Sequence, residues 1–83
     1  MYKATVIVKR RPAILDPQGK AAEQGAKLLG FDNVSGTRFG KYIEFTVNTE
    51  DKNSAEKEVK EYSEKLLSNP IMEDFEYHLE KVQ

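Results

Sequence analysis

An α+β fold, a small antiparallel sheet with two helices on one face, is the class this sequence predicts, and three observations predict it. Residues 3–10 and 75–80 alternate apolar and polar side chains with the two-residue period of a half-buried strand. Two stretches carry helix-start and helix-stop residues, one from Asp16-Pro17 to Gly30 and one from Asn53 to Asn69-Pro70. Between those helices, Val34 to Asn48 reads as extended chain that a turn divides in two. The order is therefore β-α-β-β-α-β.

The first strand sets Ala4, Val6 and Val8 on one face and Lys3, Thr5, Ile7 and Lys9 on the other. It leaves through Lys9-Arg10-Arg11-Pro12, a basic exit that proline keeps from continuing as an interior strand. The first helix is bounded with unusual clarity. Asp16 is placed to accept a hydrogen bond from a free N–H of the first turn, Pro17 has its φ already set for helix, and Gly30 suits the left-handed residue beyond the end. Ala21, Ala22, Gly25, Ala26, Leu28 and Leu29 form a short-chained stripe along it. A glycine in mid-helix costs about 1 kcal/mol against alanine, so Gly25 predicts a close-packed partner.

In the second extended region Ile43, Phe45 and Val47 face one way and Tyr42, Glu44 and Thr46 the other, with Phe39-Gly40 as the expected hairpin turn. One long bent strand is the alternative. Asn53-Ser54-Ala55-Glu56 has the form of a capping box with Asn53 as the cap, and Ala55, Val59, Tyr62 and Leu66 mark the buried stripe of the second helix. Asn69-Pro70 stops it, and Phe75, Tyr77 and Leu79 alternate with Glu76, His78 and Glu80 in the last strand. Right-handed crossovers then favour a ferredoxin-like arrangement or a close variant.

The chain has 83 residues, 39% hydrophobic, and reads as one domain over 1–83. A domain this small buries only roughly 60% of its unfolded surface, so its core is thin and self-association is the expected compensation. With no cysteine there is no disulfide, no thiol nucleophile and no Cys-based zinc site. Thirteen basic and fourteen acidic residues leave a net charge of −1, which argues against binding nucleic acid by bulk charge. No window approaches the roughly 20 apolar residues of a membrane span, and the cytoplasm is the expected compartment.

Chemistry is sparse. His78, the one histidine, sits at two-residue spacing between Glu76 and Glu80 on a polar strand face. That reads as a solvated cross-strand cluster, so no catalytic residue and no metal ligand is expected on this chain. Gly36-Thr-Arg-Phe-Gly40-Lys41 is one residue short of a phosphate loop, with Tyr42 where Ser or Thr would hold magnesium, so no cofactor site is expected either. Arg38, Tyr42, Ile43 and Phe45 fall into register with part of an RNA-recognition signature, but a second aromatic motif on the first strand is missing.

The topology brings four segments to one end of the sheet: Lys9-Arg10-Arg11, Leu15-Asp16-Pro17-Gln18, Arg38-Phe39-Gly40-Lys41 and Asn69-Pro70-Ile71. Cations, a helix N-terminus and a few apolar side chains there suit an acidic or phosphate-bearing partner, and Arg11, Asp16, Gln18, Arg38, Lys41 and Asn69 are the docking candidates.

Taken in order and spacing, Ile14-Leu-Asp-Pro-Gln-Gly19, Leu28-Leu-Gly30, Arg38-Phe-Gly-Lys-Tyr-Ile-Glu44 and Leu66-Leu-Ser-Asn-Pro-Ile-Met-Glu-Asp-Phe75 resemble the PurS family, the small subunit of phosphoribosylformylglycinamidine synthase. Thr37 departs from the aliphatic residue expected there. The resemblance implies a non-catalytic subunit that bridges the glutaminase PurQ and the synthetase PurL in purine synthesis. Ammonia from glutamine then converts an amide to an amidine, with ATP and magnesium used by the complex rather than by this chain. It also implies partners in PurL, PurQ and further copies of itself, with no nucleic acid and no membrane. A ferredoxin-like module sensing a small molecule, and an RNA-binding domain, are the alternatives from other classes.

Overall fold

The structure, a computed structural model, describes residues 1–82. Its elements are β1 (Tyr2–Arg10), α1 (Pro17–Leu28), β2 (Gly40–Val47), α2 (Lys52–Tyr62) continued by a π-helical turn (Ser63–Leu67), and β3 (Glu73–Lys81). The class is the expected α+β, an antiparallel sheet accompanied by two helices. β1 is central, with order β2-β1-β3.

Register follows the alternation. On the inner face Ala4 lies between Phe45 and Leu79, Val6 between Ile43 and Tyr77, and Val8 between Lys41 and Phe75. Ala55 and Val59 of α2 close over this face, completing a core with Tyr2, Ala4, Val6, Val8 and Val47. The outer face is polar. Lys3 pairs with Glu44 at 3.3 Å and Lys9 with Glu76 at 3.8 Å, and His78 stands exposed opposite Thr5. Only Ile7 and Tyr42 lend that face apolar surface.

Three details differ from expectation. The cap of α2 is Asp51 rather than Asn53, since its carboxylate accepts from the Asn53 N–H at 3.2 Å and the Ser54 hydroxyl at 2.8 Å. The buried stripe runs Ala55, Val59, Ser63 and then half-buried Leu67, while Tyr62 and Leu66 are exposed. Beyond Ser63 a π turn, in which Ser68 N–H reaches back five residues to Ser63 O at 2.9 Å, winds wider than an α-helix and brings Leu67 rather than Leu66 to the buried side. Tyr62 packs edge-on against Phe45 with ring centroids 5.0 Å apart.

The third difference concerns α1 and the chain after it. Only residues from Gly40 onward pair as a strand, so 34–48 is neither a hairpin nor one long strand. After Gly30, whose φ of +89° ends the helix, the chain runs back along α1. Its N–H groups find carboxylates instead of a strand, Thr37 N–H donating to Glu23 at 2.6 Å and Phe39 N–H to Asp16 at 2.6 Å. Gly19 is buried where this returning chain touches the first turn of α1.

Beyond that first turn α1 projects from the sheet, so it does not lie flat on the face that α2 covers. Gly25 has no neighbour within 4 Å of the place a Cβ would occupy, and Leu28 and Leu29 are 89% and 78% exposed. The close packing read from Gly25 is absent within the protomer. A stripe of glycine and alanine offers little apolar area, at about 25 cal/mol per Å², to seat a helix on its own sheet. The radius of gyration of 16.5 Å exceeds the roughly 12 Å of a compact chain of this length, as a projecting arm requires.

Candidate docking site

The four segments do meet at one end of the sheet, and hydrogen bonds join them. Where β1 ends, Arg11 N–H donates to Met72 O at 2.9 Å, and its guanidinium reaches Pro70 O at 2.7 Å and Asp74 at 3.1 Å. Arg10 lies 3.4 Å from Leu15 O and 3.8 Å from Met72 Sδ. The guanidinium of Arg38 closes the opposite side, donating to Arg11 O at 2.9 Å and Ile14 O at 2.8 Å.

Asp16 is the hub. It is 4% exposed, and its two oxygens serve different segments, Oδ1 capping α1 through Gly19 N–H at 3.2 Å and Oδ2 holding Phe39 N–H. Those donors, Phe39 first and Gly19 second, hold its carboxyl below the usual carboxylate range despite the opposing effect of desolvation, and nearby Arg38 adds to the lowering. Asn69 is a local turn former, its side-chain oxygen accepting from Ile71 N–H at 3.0 Å and Met72 N–H at 3.3 Å.

Of the six docking candidates, Asp16 is buried at the junction, while Arg11, Arg38 and Asn69 are exposed but committed to internal bonds that shape it. Gln18 and Lys41 are exposed, with side chains that make no hydrogen bond or ion pair among the described residues. Arg38 therefore has a local duty that the sequence did not reveal, because carbonyl acceptors leave no trace in residue identity. The same holds for Glu23, which looks like any solvated helix carboxylate.

The phosphate-loop and RNA readings find no geometric support. Residues 37–39 run against the start of α1, tied through the Thr37 and Phe39 N–H groups, and do not wrap into a cradle. Tyr42 and Phe45 belong to opposite faces of the sheet, the first paired with Ile7 outside and the second with Ala4 inside, so they offer no common stacking platform. Among the described residues no three His, Cys, Asp or Glu side chains are grouped to hold a metal ion, and no helix is long and apolar enough to cross a membrane.

Residues 3–81 match the family described as PurS, phosphoribosylformylglycinamidine (FGAM) synthase. A phosphoribosylformylglycinamidine synthase subunit PurS from Methanocaldococcus jannaschii is 37% identical over 83 residues, all of both chains. The structure of Bacillus subtilis PurS superimposes with a TM-score of 0.89 at 38% identity, covering 98% of this chain and 100% of that one. A chain in the structure of PurLQS from Thermotoga maritima superimposes with a TM-score of 0.82 at 31% identity, covering 95% of this chain and 98% of that one.

Proposed function

The chain belongs to the PurS family, subunits of the ligase phosphoribosylformylglycinamidine synthase of purine biosynthesis, and from that premise we propose that it joins the PurL synthetase to the PurQ glutaminase through the end of the sheet built around Asp16. The observation that carries this reading is the bonded convergence of four segments that leaves Gln18 and Lys41 exposed on a fixed frame. Such a surface is preorganised, so docking orders few side chains and loses little affinity to entropy. A relative seated in PurLQS supports the choice of partners.

In this role the chain moves no protons and holds no nucleotide. ATP and magnesium are used by the synthetase, the glutaminase releases ammonia, and this subunit keeps the two in register in the cytoplasm. We further assign a self-association to the projecting arm. Leu28, Leu29, Phe31 and Val34 are exposed together at its far end, and the small residues of α1 permit the close approach of a second copy that they lack within the protomer.

Reconstitution with PurL and PurQ of the same organism tests the bridging role. Glutamine-dependent formation of the amidine should require this chain, while ammonia-dependent formation by PurL should proceed without it. Equal glutamine-dependent turnover with and without the chain would overturn the reading. Sedimentation at micromolar concentration should show a dimer or larger species.

A further inference from the structure

Residues 17–37 are joined to the rest of the chain at the junction alone. Among the described residues no hydrogen bond or ion pair runs from them to a strand or to α2, and no face of α1 packs along either. Within itself this arm is braced. At its near end the returning chain binds back through Thr37 N–H to Glu23 at 2.6 Å, with Thr37 lying against the first turn of α1 at Gly19. At its far end Phe31 N–H closes onto Ala26 O at 2.8 Å. Helix and returning chain are thus tied to each other and not to the sheet.

The chain crosses between arm and sheet twice, outward at Leu15-Asp16 and back at Thr37-Arg38. Two crossings define a line, and bending about it changes the torsions of only a few residues. The ground on the sheet side is fixed, because Arg11 is tied to Met72 O, Pro70 O and Asp74. Arg38 holds the two crossings together through Arg11 O and Ile14 O. One hydrogen bond spans the line itself, from the Phe39 N–H just before β2 to Asp16 Oδ2 just before α1, at 2.6 Å. Its acceptor is a carboxylate only 4% exposed, and a bond to a charged group shielded from water is of the stronger kind. The tight contact of Gly19 with Thr37 does not set the angle, since both residues lie in the arm and move with it.

We propose that residues 17–37 form a lever hinged at the junction, with the Asp16 carboxylate, held by the Phe39 N–H, as the latch that sets its angle. The other oxygen of the same carboxylate caps α1 through Gly19 N–H at 3.2 Å, so the helix cannot swing away from the start of β2 without giving up one bond or the other. Nothing else within the chain aims the arm. Its exposed Leu28, Leu29, Phe31 and Val34 keep one direction only while the latch holds, and a lever already aimed loses less freedom on meeting another surface than one that wanders. This inference goes beyond the bridging role and does not rest on it.

Single-molecule energy transfer tests it in the full chain, which has no cysteine of its own to compete for dyes. A pair on Lys27→Cys and Glu80→Cys reads the angle of the arm, and a pair on Lys57→Cys and Glu80→Cys reads the sheet with α2. The measurement is made at picomolar dilution, where no second copy holds the arm. The parent should give one narrow population for each pair. Asp16→Asn, which keeps an oxygen for the helix cap but has one acceptor where the carboxylate has two, should shift and broaden the arm population and leave the other unchanged. Asp16→Ala should do the same, and so should Arg38→Ala, which frees the two crossings from each other. An arm population as broad in the parent as in the variants would overturn the inference, and so would one that stays narrow and unmoved in all of them. Loss of the population that reads the sheet with α2, in the parent at this dilution or in Asp16→Asn, would also overturn it, because a second copy or Asp16 would then hold the whole fold and not an angle.

Discussion

Adding one methyl group at Gly19 and the same methyl at Gly25 should move stability in opposite directions. At Gly19 a Cβ would collide with the Thr37 carbonyl oxygen and stand 2.9 Å from its carbon, so either the returning chain or the start of α1 must shift. That chain is tied on both sides of the contact, by Thr37 N–H to Glu23 and by Phe39 N–H to Asp16, and relief breaks one of those bonds. Overpacking of this severity costs about 3 kcal/mol, of which the better helix propensity of alanine returns about 1 kcal/mol, leaving a net loss of about 2 kcal/mol. For a domain of this length that is a fall in Tm of roughly 8–16 °C. Gly25→Ala meets nothing within 4 Å, so the propensity gain of up to about 1 kcal/mol stands alone and Tm should rise by up to roughly 8 °C. Both are read by thermal denaturation at a dilution where sedimentation shows the lone protomer. At higher concentration Gly25→Ala should weaken self-association, because its methyl enters the approach assigned to a second copy. A neutral or stabilising Gly19→Ala would refute the close contact between α1 and the returning chain. A destabilising Gly25→Ala in the dilute protomer would refute the projecting arm.

Three further outcomes are expected. Arg38→Ala should lower Tm by roughly 4–8 °C, through loss of about 1 kcal/mol from two exposed guanidinium bonds to carbonyls, whereas Lys41→Ala should leave Tm unchanged; equal behaviour of the two would contradict the clamp. The carboxyl of Asp16 titrates below its ordinary range in the folded chain, so its contribution is complete above about pH 4 and is lost as pH falls through the lower folded value; acid denaturation followed by circular dichroism should be less steep in Asp16→Asn, and an unchanged acid limb would count against the assignment. His78→Ala should change stability by no more than about 0.5 kcal/mol and leave glutamine-dependent turnover of the reconstituted enzyme near the parent value, since the residue is exposed on the outer face; a large fall with the complex assembled would show a chemical role.

Local features of this protein were legible in the sequence because short-range chemistry specifies them. Alternation gave the strands their faces, and Asp16, Pro17 and Gly30 bounded α1 as the structure has it. The meeting of four segments at one end of the sheet also followed from element order, and the motif spacing pointed to the PurS family. What lay beyond sequence was every relation in which a backbone group chooses among partners. The N–H groups of Thr37 and Phe39 took carboxylates of α1 and its cap, and a strand that composition favoured never paired. The carbonyls of Arg11 and Ile14 claimed the Arg38 guanidinium and turned a free cation into a clamp. A π turn carried the stripe beyond Ser63 to Leu67 instead of Leu66, which no apolar period could announce. Gly25 shows the limit most plainly: a small residue in mid-helix suggests that something comes close, but only the tertiary structure shows that nothing in the described residues of the same chain does. The physical reason is that a methyl-sized stripe buries too little area to bind its own sheet, so α1 projects from the sheet instead of lying on it.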